Sequence, residues 1–428
     1  MSERWKRTTI AECLAASFAG EWGTDPVPGN TVVYRATDID DEGRIVGAGA
    51  ARRLPIGKLT SKMLKTGDIL LEGSGGGPGK PVGRVAYFDS EAHGGPATCS
   101  NFFKTLRPSR DQVDPRFLLQ KLFWFYKQPP ILALQQQTTG IINLKFEEYL
   151  ASQVEIPELV SEQAKIAEIL DTLDTAIHET ETLIAKLKAV KQGLLHDLLT
   201  RGIDANGRLR PPQSEARHLY KLSPLGWIPG DWSVTSLGEL AEYSNGNTFD
   251  ASAWKSSGLP IIRIQNLNGS DEFNYYSGVV GPQWHVLVGD LLFAWAGQRG
   301  SSFGARIWGG QEGVLNQHIF KVIPRVKVIS KSYLFRLLRY HQASIEDAAH
   351  GFKDSFLHVT KAELGSVCVA VPDPEEQNII DEKISTFEAN ESAEELKLLK
   401  FKQAKSGLLD DLLTGRIRVT PLLDAATA

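Results

Sequence analysis

Two stretches of the chain carry apolar residues on alternating steps of four and three. In the first they are Ile166, Leu170, Leu173, Ile177, Ile184, Leu187, Leu194 and Leu198. Adding 214 to each number gives Ile380, Ile384, Phe387, Glu391, Leu398, Phe401, Leu408 and Leu412, of which seven are again apolar. Such a stripe is the seam by which one helix packs against another, so the spacing predicts two coiled-coil helices. Thr180 and Lys191 interrupt the first seam; Glu391, Glu394 and Lys405 interrupt the second. Polar seam positions commonly fix register and partner choice at some cost in stability. Each helix opens on acidic residues after proline (Pro157, then Pro372 and Pro374) and closes in Leu-Leu-Thr ahead of Gly202 or Gly415. These are helix start and stop signals. At about 40 residues each helix would be about 60 Å long. Neither can bury its stripe alone, and one helix per half points to an intramolecular pair. Gly193 and Gly407 fall inside the helices, where glycine costs about 1 kcal/mol relative to alanine. A close approach between helix backbones would explain that cost; a local kink is the alternative.

The same offset relates GLLHDLLT at 193–200 to GLLDDLLT at 407–414, and Glu162-Gln163 to Glu376-Gln377. A long internal period of this kind sets the architecture before any other feature. The segments between the helices repeat more loosely. Trp5-Lys-Arg-Thr-Thr-Ile-Ala-Glu12 parallels Trp232-Ser-Val-Thr-Ser-Leu-Gly-Glu239, and Tyr34-Arg35-Ala36 parallels Ile262-Arg263-Ile264. Gly67-Asp68-Ile69-Leu70 parallels Gly289-Asp290-Leu291-Leu292, and Ser100-Asn101-Phe102-Phe103-Lys104 parallels Gln317-His318-Ile319-Phe320-Lys321. Runs such as PIIRIQNL and DLLFAWAG, with Gly-rich connections, read as strands. Helices are expected at 114–127 and 330–342. The fold class is therefore α+β: two mixed domains (1–154 and 232–371) alternating with two long helices (155–203 and 372–418), and a Pro-, Gly- and charge-rich linker at 204–231. The scaffold repeats closely and the globular domains loosely, which suits one frame carrying two different surfaces.

Composition places limits on this picture. With 428 residues, 42% hydrophobic and 23% charged, the chain reads as a globular protein of two to four domains. No apolar run approaches the roughly 18 residues of a membrane span, and the N-terminus shows no leader pattern, so no membrane association and a cytoplasmic location are expected. Cys13, Cys99 and Cys368 are scattered and odd in number, which argues against both a disulfide framework and a zinc site. The net charge is −4, but it is unevenly distributed. Residues 1–150 hold 19 Lys+Arg against 16 Asp+Glu and residues 215–370 hold 14 against 13, whereas 155–203 (5 against 9) and 372–418 (7 against 11) are acidic. The larger segments are neutral to slightly basic, which permits contact with nucleic acid.

Enzyme signatures fail one by one. Glu72-Gly-Ser-Gly-Gly-Gly-Pro-Gly-Lys80 resembles a phosphate loop, but Ser74 stands where its first glycine belongs and Pro81 where Ser/Thr must follow the lysine. A flexible Gly-rich loop near a ligand is the better reading. Gln128-Pro129-Pro130-Ile131 has the wrong residues at both ends for an amino-methyltransferase motif. There is no HExxH string, the single GxSxG match (Gly300-Ser-Ser-Phe-Gly304) carries little weight by itself, and the nine histidines show no metal-ligand spacing. No catalytic residue and no metal site are predicted.

The globular–helix–globular–helix order, GWIPGDW at 226–232, IIRIQNL at 261–267, GDLLFAWAG at 289–297, the helix leads IPELVSEQ and VPDPEEQ, and the GLLxDLLT ends together resemble the DNA-specificity subunit of a Type I restriction–modification enzyme. The resemblance covers essentially the whole chain. It implies two target recognition domains, each reading one half of a split, asymmetric site in double-stranded DNA, held apart by an antiparallel coiled coil. It implies that the coiled coil docks two methyltransferase subunits that bind S-adenosylmethionine and methylate adenine, and that ATP-dependent translocase–nuclease subunits join the complex. It implies no cofactor and no catalysis on this chain. Half-sites one helical turn apart lie about 34 Å from each other, a spacing that domains leaning in from helices of this length would meet. Two rivals are a self-contained methylation or restriction enzyme, which lacks the expected motifs, and an architectural coiled-coil protein with two unrelated ligand domains.

Phosphate contacts call for cationic or small polar groups, and base edges for bidentate donors such as Arg, Asn and Gln. In the second domain the leading candidates are Gln298, Arg299 and Ser301, in a Gly-flanked loop after an apolar strand. Gln265-Asn266 and Asn316-Gln317-His318 follow. In the first domain the equivalent loop is Ser74 to Lys80, with Arg84 beyond it; Asn101 aligns with His318, and Arg35 and Thr37 align with Arg263 and Gln265. Matched arginines in otherwise divergent domains favour a structural or phosphate role for Arg35 and Arg263. Thr138, Thr139 and Lys353, just ahead of the helical segments, are candidates for backbone contact. Trp284, Trp295 and Trp308 are expected in the core rather than stacked on bases.

Overall fold

The protein is described from a computed structural model, which covers residues 5–25, 29–75, 80–138, 140–352 and 356–424. The chain divides into two compact units. One comprises residues up to Thr182 together with those from Glu395 onward; the other is Leu183–Glu394. Each unit therefore contains one globular domain plus part of both long helices, Val160–Thr200 and Pro374–Leu413.

The first unit is built from short sheets. Trp5–Thr9 pairs antiparallel with Gln153–Pro157 and so closes the domain just ahead of its long helix. Leu14–Ala19, Phe103–Pro108, Ile69–Glu72 and Val85–Tyr87 lie in that order in an antiparallel sheet. A parallel pair, Thr31–Tyr34 with Ala97–Cys99, anchors a second sheet. Ser74–Gly75 adds to the hairpin Gln135–Thr138 and Ile141–Leu144. Pro115–Tyr126 is helical because Asp114 accepts the free N–H groups of Arg116 and Phe117 and Pro115 presets the first turn.

The second unit repeats this plan. Ser233–Ser236 pairs with Cys368–Val371. Ala241–Asn245, Ile319–Pro324, Leu291–Ala294 and Gly304–Ile307 form the four-stranded sheet in the same order. Leu259–Ile262 runs parallel to Gly313–Leu315, and Ala296–Gly297 adds to the hairpin His350–Phe352 and Phe356–His358. The helix Lys331–Tyr340 is capped by Ser330. Both helices expected around 114–127 and 330–342 are thus present.

In each unit the long helices run antiparallel. Within the first, Lys405 pairs with Asp174, and Lys402 with Glu181 at 2.8 Å. Within the second, Lys191 reaches Glu391 at 2.5 Å, so two of the polar seam breaks meet each other. Ile166, Leu170, Ile380 and Ile384 are fully buried in the cores of their own units, each worth about 1.5–3 kcal/mol against exposure. Ile177, Ile184, Leu198 and Leu412 are buried, and Leu173, Leu187, Leu194, Phe387, Leu398, Phe401 and Leu408 are half-buried. Gly202 and Gly415 take φ +61° and +73°, the left-handed conformation that ends a helix.

The repeated Glu-Gln pair explains how each helix is seated. Gln163 donates to the carbonyls of Pro157 and Gln112 and accepts from the Asp114 N–H. Gln377 donates to those of Pro372 and Val328 and accepts from Ser330 N–H. Glu162, buried, takes a two-pronged bond from Arg418 at 2.7 and 2.9 Å. Glu376, also buried, takes one from Arg210 at 2.5 and 3.0 Å, and accepts from Ile203 N–H and the Trp232 indole. Each clasp ties the start of one long helix to the segment that follows the end of the other.

Two expectations need correction. Gly193 and Gly407 do not mark a close approach: both are exposed, and a Cβ at either would meet nothing within 4 Å. The segment 204–231 is not merely a spacer. It is folded into the second unit through Arg210 and a hairpin, Tyr220–Ser223 with Gly226–Pro229.

Candidate nucleic-acid interface

The matched anchors show which polar residues build the domains. Thr8 donates to Glu12 and Thr235 to Glu239, both at 2.7 Å, and each carboxylate also caps a backbone N–H. Asp68 accepts from Lys65 N–H and pairs with Arg107 at 2.6 Å; Asp290 accepts from Leu287 N–H and pairs with Lys321 at 3.0 Å. Asp68 is buried and would be costly without such partners, while the exposed Glu12 and Glu239 and the half-buried Asp290 hold the backbone of their turns.

The same comparison sorts the candidate readers. Asp38 accepts from Arg35 N–H, and Asn266 accepts from Arg263 N–H at the matching turn. Asn266 is 6% exposed, and its amide donates to the carbonyls of Ser270 and Glu272. Its hydrogen-bonding groups are occupied in holding the turn, so the expected base contact by Asn266 is replaced by a structural role. Arg84 is similar: its guanidinium grips Glu72 at 2.9 and 3.1 Å and donates to the carbonyls of Ile39 and Ala36. The hydrogen bonds that Arg84 donates to Glu72, ahead of the Glu72 charge, raise the Arg84 pKa. Arg84 therefore braces the first unit internally, because a fork filled by Glu72 and two carbonyls has little left for DNA.

Arg35 and Arg263 part company in chemistry. Arg35 is bonded to Asp38, whose carboxyl it holds below the usual range. In the second unit the capping residue is neutral, and the Arg263 guanidinium lies over the Trp254 ring instead, 4.4 Å from its centre. Thr37, Asn101 and Gln265 are exposed. Ser74 donates to Asn143 at 2.6 Å, and the exposed Lys80 pairs with Asp41 at 2.8 Å. Residues 76–79 of the Gly-rich loop, Thr139, Lys353 and the side chain of Thr138 lie outside the described residues.

The second unit brings several candidates together. Gln298, Arg299 and Ser301 are exposed in a turn where Ser302 accepts the Gln298 N–H. Arg299 is held by the buried carboxylate of Glu346 at 3.3 Å. Asn316 donates to Gln317 at 2.7 Å, and Gln317 contacts His318 at 3.4 Å. The His318 ring lies 5.3 Å from that of Trp295, which lies 5.8 Å from His358. Trp295 is half-buried, with its N–H on the Gln317 carbonyl; Trp284 and Trp308 are core residues. Strand pairing of Ala296–Gly297 with Phe356–His358 links the 298–302 turn to His358. The sequence reading missed Glu346 and the ring of His358.

Among the described residues no cluster of three or more His, Cys, Asp or Glu is placed to hold a metal ion, and no helix is long and apolar enough to cross a membrane. Sequence comparison agrees with the duplicated plan. The family model for the Type I restriction modification DNA specificity domain matches twice, at residues 25–189 and 229–400. The Type I restriction enzyme MjaVIII specificity subunit of Methanocaldococcus jannaschii is 24% identical over 328 residues, covering 71% of this chain and 72% of that protein. The EcoBI specificity subunit of Escherichia coli is 26% identical over 196 residues, covering 44% and 40%. A crystal structure of the Type I restriction-modification S subunit from M. genitalium shares the fold, with a TM-score of 0.57 at 16% identity and 96% of each chain covered. With both specificity domains matched and both long helices in place, the chain belongs to the family of Type I restriction–modification DNA-specificity subunits, and is a recognition component rather than a catalyst.

Proposed function

We propose that this specificity subunit reads a bipartite, asymmetric target in double-stranded DNA, one globular domain to each half. The observation that carries the reading is the contrast between conserved joints and divergent faces within one chain. The clasps Glu162–Arg418 and Glu376–Arg210 and the two glutamine anchors are the same. The 298–302 turn of the second unit, with Arg299 held out by Glu346, has a Gly-rich loop ending at Lys80 as its counterpart in the first. Two identical mounts suit two identical partners, and two different surfaces suit two different half-sites.

On this reading the long helices set the number of unread base pairs and dock two adenine methyltransferase subunits, which bring S-adenosylmethionine. ATP-driven translocase–nuclease subunits complete the restriction form. Direct readers are drawn from Gln298, Arg299, Ser301, Gln317 and His318 in the second unit, and from Thr37, Ser74, Lys80 and Asn101 in the first. Arg35 and Arg263 contribute phosphate or framework contacts, and Gln265 and Asn316 lie at the margin of the same surface. Thr138, Thr139 and Lys353 remain candidates for backbone contact.

Mapping methylated adenines across the host genome, with and without this protein, tests the reading. A split motif with two unlike halves should disappear on deletion. An unaltered pattern, or loss of a continuous palindrome, would overturn it.

A further inference from the structure

The two units can be superposed in sequence by their strand registers and helix caps, and the comparison isolates one pair of residues. In the first unit Leu70 pairs with Ala86 across the four-stranded sheet; in the second, Leu292 pairs with Arg306. Leu70 and Leu292 are matched by the Gly-Asp-Ile-Leu and Gly-Asp-Leu-Leu anchors, so Arg306 stands where the first unit has Ala86. Nine residues beyond the helix cap Asp114 is Phe123; nine beyond Ser330 is Arg339. Ala86 and Phe123 are buried, at 0% and 5% exposure. Two buried apolar residues of the first unit, which belong to separate clusters, are thus a half-buried and an exposed arginine in the second.

Those arginines lack internal compensation. Arg306 is half-buried on the edge strand Gly304–Ile307, against which the helix carrying Arg339 packs. Its guanidinium donates to the carbonyls of Ala305 at 2.9 Å and Ser301 at 2.7 Å. Carbonyls satisfy two of its five N–H donors and leave the charge in place. Among the described residues neither Arg306 nor Arg339 makes an ion pair. Burial, and then the Arg339 charge, push the Arg306 pKa below its ordinary value, the sign expected of a partly buried cation with no anion paired to it. Most other half-buried arginines here have carboxylates: Arg84 has Glu72, Arg107 has Asp68, Arg44 has Asp40. The bond to Ser301 also places the Arg306 guanidinium directly beneath the exposed 298–302 turn.

We propose that Arg306 and Arg339 form a phosphate clamp for double-stranded DNA, seated under the 298–302 turn and confined to the second unit. The proposal rests on the DNA-reading function above and adds which residues hold the backbone while the turn meets the bases. An external phosphate supplies the negative charge that the fold omits, and two forked guanidiniums suit its oxygens. The clamp positions the second unit on the duplex without reading sequence.

The test is titration of the full chain with a fluorescent random-sequence duplex, from about 50 to about 200 mM salt. The double variant Arg306→Ala with Arg339→Phe restores the residues of the first unit. It should lower the slope of log affinity against log salt by about 1.8, or about 0.9 per lost phosphate contact. It should weaken binding to duplexes of different sequence equally, and leave the thermal midpoint equal or higher. Arg306→Lys with Arg339→Lys keeps the charge and should keep the slope. An unchanged slope in the double variant overturns the clamp, as does a fall in thermal midpoint that tracks the loss of binding. Should the double variant fold poorly, Arg339→Gln on the exposed helix face decides alone: a slope lower by about 0.9 supports the clamp and an unchanged slope overturns it. Absence of salt-dependent binding by the unaltered chain would overturn the DNA-reading function as well.

Discussion

Glu376 accepts four hydrogen bonds, two of them from Arg210, at a position 8% exposed. Removing one partner of a buried pair typically costs about 3–5 kcal/mol when the other is left unpaired; Arg210 keeps Asp231 at 2.6 Å, so the lower end of that range applies. Glu376→Gln should therefore lower the stability of the second unit by that order, and Glu376→Gln combined with Arg210→Met should recover part of the loss. Urea unfolding of the single and double variants checks this; equal losses in both would show that the pair itself contributes little. Lys121 is the opposite case, a buried ammonium that makes no ion pair among the described residues. It donates to the Leu413 carbonyl at 2.6 Å, between the rings of Trp5 and Trp124. Burial pushes its pKa from the ordinary 10.5 down to about 8. The unfolded chain then binds more protons than the folded one between those values, so stability rises with pH across that window. The full effect is about 3 kcal/mol. Lys121→Met should flatten the rise, measured as unfolding free energy at pH 7.5, 9 and 10.5; a parallel rise in variant and wild type would sink the assignment.

At the scale of elements, the helices were legible because a heptad stripe is a local pattern repeated many times, and their glycine stops obey a backbone rule. Which seam polar residue meets which was not legible, since Lys191 and Glu391 are brought together only by antiparallel pairing. The Glu162-Gln163 repeat was visible as a repeat, but its meaning lay in Arg418 and Arg210, residues in segments of unlike sequence. Candidate readers were harder still. Asn266 and Gln265 look alike in sequence, yet one is buried in a turn and the other exposed, and only the three-dimensional match of Asn266 with Asp38 separates them. Arg306 gave no signal at all until its partner position, Ala86, was known. Gly193 and Gly407 carry the next prediction. Each is exposed in mid-helix with open space around the missing Cβ, so Gly193→Ala and Gly407→Ala should each stabilise the chain by about 1 kcal/mol. Denaturant midpoints with an unchanged slope would register the gain; destabilisation would mean that the glycine backbone is needed in a bent or closely packed form.

At the scale of the whole chain, duplication with divergence separates spacing from reading. The helices hold the 214-residue register, while the surfaces that would face DNA differ in loop, charge and ring content. If helix length sets the spacer, removing seven residues from each long helix, around Thr182 and Glu394 where the two units divide, preserves the seam while shortening it by about 10 Å. At about 3.4 Å per base pair the spacer should contract by about three base pairs, with both half-sites unchanged because every clasp and reader lies outside the deletion. Methylated-adenine mapping with the shortened chain reads both quantities at once. A changed half-site with an unchanged spacer would place the spacing control in the globular domains instead of the helices.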